Sequence, residues 1–134
     1  MATPIQSLLT AIGYPERAPE GAASFAVLVD GGEVLVRAEG DRLFFSRALA
    51  CEGEDLPRLA ALAPGRMLRE EAVLAAEPGP GGAAMLWSDL PAGASPAAMQ
   101  RAFGSFCDSC DWWLERVGEL SEPEPEIPPM MIRP

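Results

Sequence analysis

The sequence predicts a single α+β domain with the element order α-β-β-β-α-β-β-α, in which a mainly antiparallel five-stranded sheet packs with helices. Three observations support this prediction. The chain has 134 residues, the usual length of one domain. Short runs rich in Val, Leu and Phe, separated by two-residue turns, favour an antiparallel meander. A long segment with apolar residues at helical spacing follows the last of these runs and predicts a final helix.

The first predicted element is a short helix from Pro4 to Ile12. Thr3 can cap its start, Pro4 suits the first helical position, and Gly13 ends it. The residues of its apolar face recur at helical spacing: Ile5, Leu8, Leu9 and Ile12.

Three strands are predicted next, at 24–30, 33–39 and 42–49. Gly31-Gly32 and Gly40-Asp41 separate them as two-residue turns, which are strong hairpin signals. Apolar residues fall on both sides of these strands. The final helix can cover one face of such a sheet, so the other face, or the first helix, is left to meet a partner.

In the second half of the chain a helix is again followed by strands. A helix is predicted from Asp55 to about Leu62, followed by strands at 71–77 and 83–89 that a glycine-rich turn joins. Ser95 and Pro96 then open a helix that runs to about Leu120. We therefore expect one domain at 1–120.

The last residues, 121–134, contain so many prolines and glutamates that we expect an extended or disordered tail.

Composition excludes several classes of function. The formal net charge is −10, so nucleic acid and anionic membranes are not expected partners, whereas basic or apolar polypeptides are favoured. The chain has no histidine and no lysine, which removes imidazole bases, Schiff-base lysines and phosphate-loop lysines. We expect a protein that is not an enzyme and that needs no cofactor. No apolar run is long enough to span a membrane and no secretory signal is evident, so we expect it in the cytoplasm.

Two cysteines in a CxxC spacing, Cys107 and Cys110, raise the question of a redox or metal site. On a helical wheel Cys110 falls in the apolar stripe and Cys107 at its edge, which favours a structural role. The pair lies about three turns into the helix, beyond the reach of the N-terminal dipole, and Asp108 and Asp111 should raise the thiol pKa. With only Cys51 as a further strong ligand, we expect no metal site. A thiol redox or sensor protein is the alternative of another class.

Several segments, taken in their order along the chain, together resemble the sequence pattern of a known family. They are LLTAIGYP, SFAVLVDGGEVLVRAEG, RLFFS, MLWSDLP and SPAAMQRAFGSFCDSCDWWLERV. Over Thr3 to about Leu120 the sequence resembles the class I type III secretion chaperones, the Tir-chaperone-like family. Pro57 and Pro64-Gly65 shorten the second helix relative to that pattern. The resemblance implies a cytoplasmic homodimer that binds the N-terminal segment of a secreted effector in extended form and keeps it soluble and export-competent. A same-fold regulator that binds a folded or membrane-associated partner is the alternative.

Two sets of residues follow as predicted sites, with no catalytic, metal-binding or cofactor-binding residue among them. The predicted apolar groove for the effector polypeptide consists of Ile5, Leu8, Leu9, Ile12, Val34, Val36 and Phe44. Glu33 and Glu39 beside it would favour a basic or neutral segment. The predicted homodimer interface consists of Leu56, Leu59, Leu62, Trp87 and Trp112.

Overall fold

A computed structural model describes residues 2–61, 72–77 and 81–121, the side chain of Ser121 excepted. In these residues the predicted α+β order is confirmed, with five antiparallel strands and three α-helices. The elements are α1 (Pro4–Ile12), β1 (Ser24–Val29), β2 (Gly32–Glu39), β3 (Arg42–Glu52), a 3₁₀ turn (Gly53–Asp55), α2 (Leu56–Ala61), β4 (Val73–Ala76), β5 (Ala83–Pro91) and α3 (Pro96–Ser121).

The strands form one sheet in the order β1-β2-β3-β5-β4, and every neighbouring pair is antiparallel. β1 and β4 are therefore its two edges. The register of β3 against β5 shifts between Ala48 and Glu52, and Ala50 has a positive φ of 59° there. The irregularity, of the kind that a β-bulge produces, lies directly before the 3₁₀ turn.

The first hairpin turn lies one residue earlier than the sequence predicts. Asp30 and Gly31, with φ values of 46° and 79°, form the turn, and Val29 pairs with Gly32. A two-residue turn with positive φ at both positions favours Asp-Gly, so the first glycine of the predicted pair takes the second turn position. Gly32 begins β2 instead, where an added Cβ would overlap the Arg47 guanidinium.

The helix ends follow their predicted signals. The Thr3 hydroxyl oxygen accepts a hydrogen bond from the Gln6 N–H at 3.2 Å, and Gly13 closes α1 with a φ of 71°. The Ser95 hydroxyl oxygen accepts from the Ala98 N–H at 3.1 Å at the start of α3. Residues 62–71 and the predicted tail at 122–134 lie outside the described residues.

The helices pack on one face of the sheet. The centroid of the Phe45 ring on β3 lies 5.3 Å from the centroid of the Phe103 ring and 5.6 Å from that of the Phe106 ring, both on α3. α1 contacts α3 and β2, and α2 contacts α3 and β4. The apolar stripe predicted for α3 is confirmed, because its buried residues are Met99, Phe103, Phe106, Cys110, Trp113 and Val117. The opposite face carries no helix in the described part of the chain.

Candidate partner-binding surfaces

Most of the predicted effector groove lies inside the core of the chain. The side chains of five of its seven residues have no solvent exposure: Ile5, Leu8, Leu9, Val34 and Val36. They are enclosed because α1 packs against α3 and β2, rather than standing open beside the sheet. In this conformation they cannot contact a partner, so their role in binding stays a prediction that requires α1 to move.

The other two residues of the predicted groove do not share a surface. Phe44 lies between the core residues Leu43 and Phe45, so strand alternation turns its side chain to the opposite face of the sheet from Val36. Ile12, at the end of α1, is half-buried on the helix side. The seven residues therefore do not form one open groove.

The five predicted dimer residues are also divided by the sheet. Leu59 is fully buried in the core and Leu56 is half-buried beside it, while Leu62 lies outside the described residues. Trp112 lies on α3, with the Arg116 guanidinium carbon 4.8 Å from its ring centroid. Trp87 lies on the face without helices, so the two tryptophans cannot belong to one compact patch.

The face without helices carries a row of mostly apolar residues that crosses all five strands, with the buried Ser46 as its polar member. We call it the outer row, and cross-strand pairing places its members side by side: Ala26, Leu35, Ser46, Trp87 and Val73. Three large apolar side chains of this face are exposed, Leu28 by 63%, Leu35 by 37% and Val73 by 57%. The exposed large apolar residues of the described chain thus lie on one side of the sheet, which makes that side a candidate interaction surface.

The charges beside the outer row are largely paired within the chain. The Arg42 guanidinium lies 2.9 Å from the Asp89 carboxylate, and the Arg37 guanidinium lies 3.6 Å from that of Glu39. The chain as a whole carries a net charge of −10. This face is therefore closer to neutral than the average surface and opposes the approach of a second acidic molecule less.

A second surface is the β1 edge, which we define as the outward backbone groups of Ser24, Ala26 and Leu28. The Asp-Gly turn makes Val29 and Gly32 a hydrogen-bonded pair, so alternate residues of β1 bond to β2 and the residues between them point outward. Among the described residues, no hydrogen bond uses the outward groups of Ser24 or Ala26, and both residues are exposed.

Half-buried apolar side chains line the helix side of this edge. This rim consists of Tyr14, Phe25 and Val29, together with Ile12, which is half-buried at the end of α1 on the same side of the sheet. The predicted site residues included only Ile12 from this surface. The position of the turn decides which residues of β1 direct their backbone groups outward. A turn predicted at Asp30-Gly31, rather than one residue later, would have identified these residues from the sequence.

The cysteine pair lies where the structural interpretation predicts it. Cys110 is fully buried in the core and Cys107 is half-buried. Burial is the main cause that raises the pKa of Cys107 to about 11, followed by the negative charge of Asp111. Arg47 opposes this rise, and Asp108 and Asp30 add to it. A thiol that stays protonated is a poor nucleophile, which disfavours a redox role.

Alkylation should show this raised pKa directly. At pH 8, iodoacetamide should modify Cys107 about 100-fold more slowly in the folded protein than in the unfolded chain, because its pKa is about 11 rather than 9.0. Between pH 9.0 and about 11 the alkylation rate in the folded protein should still rise tenfold per pH unit. In the same range the alkylation rate in the unfolded chain should already be level. Peptide mass spectrometry separates Cys107 from the other thiols.

The same shift predicts how stability changes at alkaline pH. Since the folded state holds the Cys107 proton more tightly, this contribution is complete below pH 9.0 and is lost as the pH rises towards 11. Reaction of native Cys107 as fast as in the unfolded chain at pH 8 would instead favour the redox interpretation.

The residues at 2–61, 72–77 and 81–121 offer neither a metal site nor a membrane-spanning helix. Within those ranges, no group of three or more Cys, Asp or Glu side chains is arranged to hold a metal ion. None of the helices described there is both long and apolar enough to cross a membrane.

The described residues share their fold with several solved class I type III secretion chaperones. A chain of the HopA1–SchA chaperone–effector complex superposes with a TM-score of 0.63 at 15% identity, over 82% of this chain and 89% of that one. The Yersinia pestis type III secretion chaperone SycH, in complex with a fragment of YscM2, superposes with a TM-score of 0.58 at 15% identity, over 82% and 96%.

The fold also occurs outside these complexes. YbjN from E. coli, described as a putative transcription regulator, superposes with a TM-score of 0.54 at 13% identity, over 87% of this chain and 90% of that one. No protein-family model matches the sequence, and a search of curated proteins gave no match. At these identities the likeness shows the fold alone.

Proposed function

We propose that this protein is a cytoplasmic, non-enzymatic chaperone that binds the N-terminal segment of a secreted effector in extended form and keeps it competent for export. The observation that carries this proposal is the β1 edge, with open backbone groups at Ser24 and Ala26 beside an apolar rim. Known complexes of the same fold with effectors support it. The net charge of −10 favours a neutral or basic segment.

An extended polypeptide fits this edge by strand addition. Its backbone would bond to the outward groups of Ser24, Ala26 and Leu28, since an exposed strand edge is a template for another strand. Its alternate side chains would pack against the half-buried Phe25 and Ile12 on the helix side. Backbone bonding explains how one chaperone can hold a segment without requiring it to fold.

Proline at Ala26 tests strand addition. Ala26 directs its N–H away from β2, so Ala26→Pro removes an outward donor without breaking the β1–β2 ladder. The ring also blocks a partner backbone. We expect binding of the partner segment to fall by about tenfold or more.

The control for this substitution is Ala26→Thr, which keeps the N–H and should bind as the parent does. Fluorescence anisotropy measures binding, and circular dichroism confirms that both variants are folded. Equal binding by the proline variant would exclude the β1 edge as the site.

The broader function is tested on the partner recovered from the native host. In the reconstituted complex, hydrogen exchange should show protection confined to an N-terminal segment of the partner that is unfolded when alone. Protection spread over a folded partner would instead support the same-fold regulator. Retained binding by a Cys107→Ala, Cys110→Ala double variant would exclude the thiol-based alternative.

We also propose that the protein is a homodimer joined through the outer row. Trp87 lies between Ser46 and Val73 in this row, and the exposed Leu35 and Val73 would be covered by the same row of a second copy. A two-fold axis brings one surface against itself, so a near-neutral apolar row suits self-association better than an acidic surface would. The interface would leave the β1 edge and its rim accessible to the effector on the other side.

A further inference from the structure

Tyr14 ties the loop between α1 and β1 to the β1 edge. Its hydroxyl oxygen accepts a hydrogen bond from the backbone N–H of Leu28 at 3.1 Å. Its ring meets the Phe25 ring edge-on, with centroids 5.9 Å apart. Its own backbone N–H donates to the Leu9 carbonyl at 2.9 Å, at the end of α1. The tyrosine is thus held at its backbone, its ring and its hydroxyl.

The Leu28 N–H is one of the outward donors that an added strand would use. Its position therefore gives the Tyr14 hydroxyl the same role as a carbonyl of an arriving strand. Leu28 is 63% exposed, so nothing else covers this part of the edge in the described residues. A strand that pairs along β1 must replace the hydroxyl with its own carbonyl oxygen.

We propose that Tyr14 is a latch on the β1 edge, which satisfies the Leu28 N–H in the free chain and is displaced by an extended polypeptide. The inference rests on the proposed function, because it concerns regulation of that same edge. The partner it fits is a segment with alternating apolar side chains that is neutral or basic. The latch disfavours strands that offer backbone contacts alone, and it also protects the free edge from pairing with other edges.

Tyr14→Phe removes the hydroxyl and keeps the ring on Phe25. A defined probe is a fluorescent nonapeptide of alternating valine and threonine that ends in arginine. The variant should bind it about 2- to 10-fold more tightly than the parent, since one internal hydrogen bond no longer has to be broken. In the absence of peptide, the Leu28 amide should exchange faster in the variant, while the Val27 amide, paired with β2, should not change.

Two controls separate the latch from general loosening of the loop. Gln6→Leu removes another tether of the same loop, the 3.0 Å hydrogen bond from the Ala18 N–H to the Gln6 side-chain oxygen. It should leave both the Leu28 amide and peptide binding unchanged. The same peptide with N-methyl groups on its strand-facing amides should not bind, because it cannot pair with β1.

Tighter binding together with faster exchange at Leu28 in the Tyr14→Phe variant would support the latch. Unchanged affinity or unchanged Leu28 exchange would overturn it. If the plain peptide binds the parent and the N-methylated peptide does not, strand addition stands even when the latch is overturned. If the plain peptide binds neither protein, the β1 edge itself fails and the latch fails with it.

Discussion

Leu9→Asp and Val36→Asp are each expected to unfold the chain. Both side chains are completely buried in the core, one on α1 and one on β2. An aspartate at either position loses the apolar contacts and places an unpaired carboxylate in an apolar environment. We expect a loss of more than about 4 kcal/mol of unfolding free energy, a large part of the whole stability of a small domain. Thermal denaturation followed by circular dichroism measures it.

The matched control is Leu35→Asp, one position before Val36. Leu35 directs its side chain to the other face of the sheet and is 37% exposed, so this aspartate stays hydrated. We expect the Leu35 variant to fold. If Leu9→Asp and Val36→Asp were also folded and lost only partner binding, the groove predicted from the sequence would be correct. In that case α1 would have to detach from α3 when the partner binds.

The order of elements could be predicted because local signals agree with one another. Thr3, Gly13 and Ser95 mark helix ends through their own backbone or side-chain chemistry, and the stripe on α3 follows from spacing alone. The structural role of Cys110 followed from the same stripe. Such features depend on residues close in sequence.

The binding surfaces could not be predicted in the same way. Whether Leu9 faces a partner or the core depends on how α1 docks onto α3, which is a contact between distant parts of the chain. Phe44 and Val36 are both apolar strand residues, and only the register decides that they lie on opposite faces. The one-residue shift of the first turn to Asp30-Gly31 likewise decides which amides of β1 point outward.

The two open surfaces suit different kinds of partner. The β1 edge offers backbone donors and acceptors in a line, which an unfolded segment can meet without a fixed shape. The outer row offers side chains on a sheet, Trp87 among them, which a folded surface can match. Strand addition at one surface and self-association at the other are therefore compatible in a single molecule.

Leu35→Asp should convert a dimeric protein into a folded monomer. In a two-fold interface through the outer row, each substitution occurs twice and places two carboxylates in a dry apolar contact. The dimer dissociation constant should rise on the order of 1,000-fold. Light scattering at micromolar concentration measures the mass of the parent and of the variant.

The control for charge is Ala97→Asp, at an exposed position in the first turn of α3, on the opposite side of the sheet. It adds the same negative charge to the chain, and an acidic residue is favourable at a helix start. If dimerisation depended only on net charge, both variants would dissociate equally. A parent protein that is monomeric at micromolar concentration would contradict the proposed dimer. If the parent and both variants are dimers, the interface does not involve the outer row, and the surface around Trp112 on α3 becomes the next candidate.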